Sequence, residues 1–206
     1  MKEKILLIGG GGHCRSCIDV IETEGKYEIA GIVDGALEKG SDVLGYPVLG
    51  EDEDIPELLS KITTNCLITV GQIKSPAVRV KLVELTAQLN ASFPIIVSPH
   101  AYVSSHAEVN AGSIIMHGAV VHVGVKVGAH CIINSQALLE HDSQVGSFTH
   151  ISTAAILNGD VLVNDRCFVG SSATLYQGIN IASGVIVPAG SVVRKSITKP
   201  GVVRSV

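Results

Sequence analysis

The sequence of 206 residues contains no tryptophan, and aromatic residues make up only 3% of it. Because 46% of the residues are hydrophobic, the core must be built from Val, Ile, Leu and Ala. Runs of basic residues are also missing, and the formal net charge is −4. Binding to nucleic acids through neutralisation of phosphates is therefore not expected.

Long apolar segments are absent as well. No stretch approaches the roughly 20 apolar residues that span a bilayer. The first apolar run, residues 5–8, is too short for the core of a signal peptide and is followed by four glycines. We therefore expect a cytoplasmic protein without membrane insertion, in which the five cysteines, an odd number, are reduced thiols.

The first part of the chain alternates between short apolar runs and segments with helical periodicity. The pattern predicts strands at 4–8, 27–33 and 65–70, a glycine turn at 9–12, and helices at 13–22 and 76–89. Strands that alternate with helices are typical of a parallel sheet. We therefore predict a Rossmann-like α/β domain with a short parallel sheet over residues 1–94.

From about residue 95 the periodicity changes to six. An aliphatic residue occupies every sixth position without a slip: Val97, Val103, Val109, Ile115, Val121, Val127, Ile133, Leu139, Val145, Ile151, Leu157, Val163, Val169, Leu175, Ile181, Val187 and Val193. Neither a helix nor a simple strand has this period. Hexapeptide repeats are typical of a parallel β-helix, in which three hexads form one triangular coil and the aliphatic side chains point inward. A narrow prism of this kind leaves no room for aromatic rings, whereas a set of ordinary edge strands would not need strict sixes.

The four glycines at residues 9–12 follow a predicted strand and precede a predicted helix. Backbone N–H groups at such a helix N-terminus suit a phosphate group. The G-x-G-x-x-G fingerprint of dinucleotide sites is incomplete, because Cys14 occupies the third glycine position. The predicted domain is also short for a full dinucleotide fold. The loop is therefore expected to bind a phosphate-containing ligand other than NAD.

Sequence motifs in both parts of the chain carry a family resemblance. GGGGHCRSCIDVIE, GIVDG and LGYPVLG in the first part, and LLEHDSQVGSFTHIS among the hexads, resemble those of the bacterial sugar O-/N-acyltransferase family. The resemblance covers nearly the whole chain. It implies a nucleotide-sugar-binding domain over 1–94, a left-handed β-helix that binds acetyl-CoA over 95–206, and a homotrimer with active sites between neighbouring chains.

Transfer of an acetyl group to an amine requires a base, because the amine is largely protonated at neutral pH. Histidine titrates near neutrality and suits this role. Seven of the eight histidines lie at or after His100, so only their positions distinguish them. The resemblance assigns the general base to His141 and implies that Asp142 orients its ring.

Other predicted site residues also rest on the resemblance. It implies that the N–H of Gly159 faces the thioester carbonyl and would stabilise an oxyanion there. The predicted contacts with acetyl-CoA, besides Gly159, are His150, Ser171 and Ala189. The predicted contacts with the nucleotide-sugar are Gly11, Gly12, His13 and Asp34. The predicted activity is N-acetylation of a UDP- or GDP-linked 4-amino-deoxy sugar, with acetyl-CoA as co-substrate and no metal.

Several alternatives remain open from the residues alone. O-acetylation of a sialic acid hydroxyl would use the same base. His117 and His122 have the spacing found in zinc carbonic anhydrases of β-helical fold, but Lys81 stands where a third ligand would be expected. Cys14 and Cys17 have C-x-x-C spacing, but the second pair that a zinc site would need is missing. The resemblance implies small apolar residues at these positions, which favours packing over a redox site. A non-enzymatic trimer or nucleotide sensor is a further alternative.

Overall fold

The computed structural model describes residues 2–203. Backbone contacts divide the chain into two compact units. Unit 1 comprises Met1–Gly71 and Ala77–Ile96, and unit 2 comprises Gln72–Pro76 and Val97–Val206. The short segment at residues 72–76 therefore belongs to the second unit, although the residues on both sides of it belong to the first.

Unit 1 is an α/β domain with a single sheet. Its strands are β1 (Glu3–Ile8), β2 (Tyr27–Val33), β3 (Asp42–Val43), β4 (Tyr46–Gly50) and β5 (Cys66–Ile68). Its helices are α1 (Gly12–Glu24), α2 (Ile55–Lys61) and α3 (Ala77–Gln88), and a 3₁₀ turn covers Asp52–Asp54. The strand order is β3-β4-β2-β1-β5, with β1 parallel to both β2 and β5.

The predicted strands and helices of unit 1 are present, with three differences. The sheet is mixed, because β3 pairs antiparallel with β4 at one edge. The two residues that join them, Leu44 and Gly45, both have positive φ (53° and 85°), as a type I′ hairpin turn requires. Helix α1 begins at Gly12, which was predicted to lie in the turn, and β5 is shorter than the predicted strand.

Unit 2 is built from very short strands at intervals of six residues. They are β6 (Ile96–Val97), β7 (Tyr102–Val103), β8 (Glu108–Val109), β9 (Ile114–Ile115), β10 (Val120–Val121), β11 (Lys126–Val127), β12 (Ile132–Ile133), β13 (Leu138–Leu139), β14 (Gln144–Val145), β15 (His150–Ile151), β16 (Ile156–Leu157), β17 (Leu162–Val163), β18 (Phe168–Val169), β19 (Thr174–Leu175), β20 (Asn180–Ile181), β21 (Val185–Val187), β22 (Val192–Val193) and β23 (Gly201–Val202). Their parallel sheets have the orders β22-β19-β16-β13-β10-β7, β20-β17-β14-β11-β8 and β23-β21-β18-β15-β12-β9-β6. This is the predicted left-handed parallel β-helix.

The register of the sheets sets the length of one coil. Residues eighteen positions apart pair from β7 to β22, as Val121 does with Leu139, and the final strand pairs at sixteen, Val185 with Gly201. The aliphatic residue of each hexad is therefore stacked on its counterparts in the neighbouring coils. One such column consists of Ile115, Ile133, Ile151, Val169 and Val187, which are all fully buried. Their burial explains why the sequence needs an aliphatic residue at every sixth position.

All five cysteines are free and buried. Burial raises the pKa of the thiols of Cys14, Cys17 and Cys167 above its ordinary value. It also raises the pKa of the Cys66 thiol to about 12. Cys14 and Cys17 are both part of the core under α1, so their spacing reflects packing of one helix face.

Among residues 2–203, no helix has the length and apolar character needed to cross a membrane.

Truncation of the inner column should destabilise the β-helix. We expect Ile133→Ala to lower the free energy of unfolding by about 2–5 kcal/mol, because it leaves a cavity between two stacked isoleucines. Ile73→Ala is the matched control, since Ile73 belongs to the same unit but is 66% exposed. Urea denaturation would measure both variants. Equal losses in the two would contradict the packing argument.

The cysteine thiols should be unreactive in the native protein. Burial shields all five thiols from a reagent, and the raised pKa values of Cys14, Cys17, Cys66 and Cys167 keep the reactive thiolate scarce at pH 8. We expect a disulfide reagent to label all five thiols only after denaturation. Rapid labelling of a cysteine under native conditions would show that its side chain is more accessible than the structure indicates.

Candidate active site

The His141–Asp142 pair lies at the turn that follows β13. The Nδ1 of His141 is 2.9 Å from Oδ2 of Asp142, and the side chains are 51% and 66% exposed. A carboxylate only accepts hydrogen bonds, so Nδ1 carries the proton and donates a hydrogen bond to Asp142. The other ring nitrogen, Nε2, is then left with a lone pair. This is the tautomer that a general base requires.

His141 borders an open depression on the surface of unit 2. The depression is lined by Glu140, His141, Asn158, Gly159, Tyr176 and Gln177. These residues form three pairs at intervals of eighteen, so they occupy the same corner of three successive coils. We call this feature the His141 depression. It places a base beside amide, phenol and backbone groups that can contact a polar ligand.

Gly159 lies directly against the ring of His141. A Cβ atom added at Gly159 would stand 2.5 Å from Nε2 and 2.6 Å from Cε1 of His141. Within residues 2–203, the N–H of Gly159 donates no hydrogen bond. The structure thus brings three of the predicted residues together, namely His141, Asp142 and Gly159. Because this N–H makes no hydrogen bond within the described chain, it could donate to an oxyanion as predicted.

His150 lies elsewhere in unit 2 and is 6% exposed. Its Nδ1 is 2.6 Å from the carbonyl oxygen of Gln72, and its Nε2 is 3.1 Å from Nδ2 of Asn134. The carbonyl fixes the proton on Nδ1, so Nε2 accepts from the amide of Asn134. Both ring nitrogens are therefore engaged within the chain. A contact between acetyl-CoA and His150 stays a prediction, and at Nε2 it would have to replace Asn134.

Gln72 explains why residues 72–76 belong to unit 2. Its side chain is 3% exposed, and its Nε2 donates to the carbonyl oxygens of Phe148 and Cys167. Together with the bond from His150, these contacts attach the segment to the β-helix. Sequence analysis missed Gln72 and Asn134, because nothing in the local pattern indicates a partner so distant along the chain.

Ser171 and Ala189 occupy a different corner of the coils from His141. They lie eighteen residues apart, and both are exposed. The hydroxyl of Ser171 is 3.0 Å from that of Ser152, and its carbonyl accepts from the N–H of Gly190. Their predicted contacts with acetyl-CoA stay predictions, and these residues do not border the His141 depression.

The glycine loop of unit 1 leads into helix α1. Gly11 is the N-cap residue and provides no side-chain cap. The first N–H groups of a helix lack intrahelical partners and attract anions. A Cβ atom added at Gly11 or Gly12 would meet nothing within 4 Å, so the backbone there is open on that side. This geometry suits the phosphates of a nucleotide.

Asp34 and His13 lie near the same loop. The carboxylate of Asp34 accepts from the N–H of Gly10 at 2.6 Å and from that of Ala36 at 2.8 Å. Asp34 therefore holds the loop in place, besides any contact with a ligand. The Nε2 of His13 is 3.4 Å from Sγ of Cys17, one helical turn further along α1.

The histidines considered for a zinc site have other partners. The Nδ1 of His117 is 2.6 Å from Oγ of Ser98, and the ring of His122 packs edge-on against Tyr102. Among the described residues, no group of three or more His, Cys, Asp or Glu side chains could hold a metal ion. The geometry therefore offers no support for a hydratase.

Comparison with known proteins identifies relatives of both units. The model of the PglD N-terminal domain family matches residues 4–85. No curated protein sequence matches the chain significantly. Among solved structures, an asparagine-for-histidine variant of perosamine N-acetyltransferase from Caulobacter crescentus, in complex with CoA and GDP-perosamine, is 29% identical. It superposes with a TM-score of 0.91 over 97% of this chain and 92% of that chain.

Two further structures are similar over nearly their whole length. The acetyltransferase domain of PglB from Neisseria gonorrhoeae FA1090, in complex with acetyl coenzyme A, is 29% identical, with a TM-score of 0.88 over 98% of this chain and 96% of that chain. WeeI from Acinetobacter baumannii AYE is 21% identical, with a TM-score of 0.84 over the same shares, and supports the fold alone. The first unit thus matches the PglD N-terminal domain family, and the whole chain is similar to solved bacterial sugar acetyltransferases of the hexapeptide-repeat type.

Proposed function

We propose that this protein is an acetyl-CoA-dependent N-acetyltransferase that acts on the amine of a nucleotide-linked 4-amino-deoxy sugar, with His141 as general base. The observation that carries the proposal is the geometry of His141, whose Nδ1 is tied to Asp142 while its ring borders an open depression. The relative crystallised with CoA and GDP-perosamine supports the substrate class. It favours a GDP-linked acceptor, and a UDP-linked one is the alternative.

His141 would act first on the acceptor. The Nε2 atom takes a proton from the amine as its nitrogen attacks the carbonyl carbon of the thioester. Asp142 stabilises the imidazolium that results, because its carboxylate accepts the hydrogen bond from Nδ1. A positioned base of this kind contributes about 10²–10⁴-fold to the rate.

The second half of the reaction returns the proton. The carbon–sulfur bond breaks, and the imidazolium of His141 protonates the leaving thiolate, so the side chain ends in its starting state. The N–H of Gly159 would stabilise the negative charge on the carbonyl oxygen in between. No thiol of the protein takes part, which agrees with the burial of all five cysteines.

The two units would have separate tasks. Unit 1 would bind the nucleotide-sugar through Gly11, Gly12, His13 and Asp34. Unit 2 would bind acetyl-CoA, with Gly159, His150, Ser171 and Ala189 as the predicted contacts. A cytoplasmic homotrimer is the assembly we expect, and light scattering of the purified protein would measure its mass.

The substrate class can be tested with a panel of acceptors. We expect acetyl transfer from acetyl-CoA to GDP- or UDP-linked 4-amino-deoxy sugars, detected as release of free CoA thiol. Free sialic acids should remain unmodified, because the proposed acceptor atom is an amine. Acetylation of sialic acid alone would replace the proposal with O-acetylation.

Replacement of the base should abolish the reaction without loss of the fold. We expect His141→Ala to lower kcat by about 10²–10⁴-fold, because nothing else takes the proton of the amine. His106→Ala is the control, since His106 is an exposed histidine in the same unit that does not border the His141 depression. A folded His141→Ala variant with full activity would refute the role of His141.

A side chain at the glycine loop should interfere with the nucleotide-sugar. We expect Gly12→Ala to raise KM for the sugar substrate at least about tenfold while kcat changes little. The new methyl group meets no atom of the chain, so it would occupy only the space proposed for the substrate. The matched control is Gly35→Ala, where a Cβ meets only an ordinary contact at 4.0 Å. An unchanged KM in Gly12→Ala would argue against binding at this loop.

A further inference from the structure

Gly159 occupies a position of the hexad at which no other glycine is found. This position is the second residue after the inward aliphatic residue, and His141 occupies it one coil earlier. From Ser105 to Ala189, every other residue at this position carries a side chain. The backbone therefore accommodates a Cβ atom here in the rest of the β-helix. The missing Cβ atom at Gly159 must therefore have a local explanation.

The local reason is the ring of His141. The three heavy atoms nearest to a Cβ built at Gly159 are Nε2, Cε1 and Cδ2 of His141, at 2.5, 2.6 and 3.2 Å. Contacts under 3.0 Å force one of the two groups to move. Any residue larger than glycine would thus push the imidazole out of its position in the His141 depression.

Gly124 has the same relation to the other member of the pair. It lies one coil before Asp142, and a Cβ built there would overlap Oδ1 of the Asp142 carboxylate. Gly124 has φ of +74°, but this backbone conformation alone does not demand glycine at this corner. Asp142 and Asp160 adopt it in the next two coils, with φ of 62° and 58°. The missing side chain leaves the space into which the carboxylate of Asp142 turns.

We propose that Gly124 and Gly159 are positioning residues, which hold the His141–Asp142 pair from the coils on its two sides. Gly124 leaves room for the carboxylate that fixes the tautomer of His141, and Gly159 leaves room for the ring itself. The link to catalysis rests on the proposed role of His141. The geometric part, which concerns only the hydrogen bond between Nδ1 and Oδ2, does not depend on it.

The kinetic test compares three alanine variants. We expect Gly159→Ala and Gly124→Ala each to lower kcat by at least about tenfold with KM for both substrates nearly unchanged, because displacement of a base by about 1 Å can cost up to 10²-fold. Gly118→Ala is the control. It shares the coil of Gly124 and a φ of +69°, but its Cβ would only touch the flexible side chain of Gln136 at 3.4 Å. It should retain full activity.

The spectroscopic test measures which ring nitrogen of His141 carries the proton, and the hydrogen bond to Asp142 determines this. In protein with ¹⁵N-labelled histidine and no substrate, we expect His141 to hold its proton on Nδ1. Gly124→Ala should shift the population toward the Nε2-protonated form, and Gly118→Ala should not. An unchanged tautomer together with unchanged kcat in Gly124→Ala would overturn the inference. The proposed function would then still stand, because the His141→Ala variant and the panel of acceptors test it separately.

A double variant distinguishes positioning from general damage to the coil. If Gly124 acts through the carboxylate, Gly124→Ala should lower kcat no further once Asp142→Ala has removed that group. Additive losses in the double variant would show that Gly124 supports the coil rather than Asp142, and would also overturn the inference.

Discussion

The parallel pairing of residues eighteen positions apart is the constraint on which unit 2 depends. Each coil is held to the next by backbone hydrogen bonds, and the aliphatic residues of the series from Ile115 to Val193 are buried against their counterparts in the neighbouring coils. A shift of the register by one residue would turn these side chains outward. The same register also aligns Gly159 and Gln177 with His141, so the packing that stabilises the fold assembles the His141 depression.

Two histidines of unit 2 show how the partner of one ring nitrogen decides what the other can do. His141 donates from Nδ1 to a carboxylate at the surface, which leaves Nε2 beside an open depression. His150 donates from Nδ1 to the carbonyl oxygen of Gln72, and its Nε2 is occupied by Asn134. One ring is arranged to accept a proton from a ligand, whereas the other fastens a segment of the chain to the β-helix.

Glycine has distinct uses in the two units. At Gly45 it allows the backbone of a tight hairpin, and at Gly11 and Gly12 it leaves a helix N-terminus uncovered. At Gly124 and Gly159 the useful property is the missing side chain, because a neighbouring functional group fills that space. A count of glycines predicts turns, but it does not distinguish these uses.

The sequence by itself determined the β-helix and its separation from the α/β domain. An aliphatic residue at every sixth position is typical of a β-helix and matches neither the period of a helix nor that of a simple strand. The sequence also indicated His141 and Asp142, whose interaction is local. The tertiary structure decided what depends on stacking: the contact of Gly159 with His141, the attachment of Gln72 to His150, and the antiparallel edge formed by β3 and β4. These contacts join residues that are distant in sequence or lie in very short strands, so no periodic signal marks them.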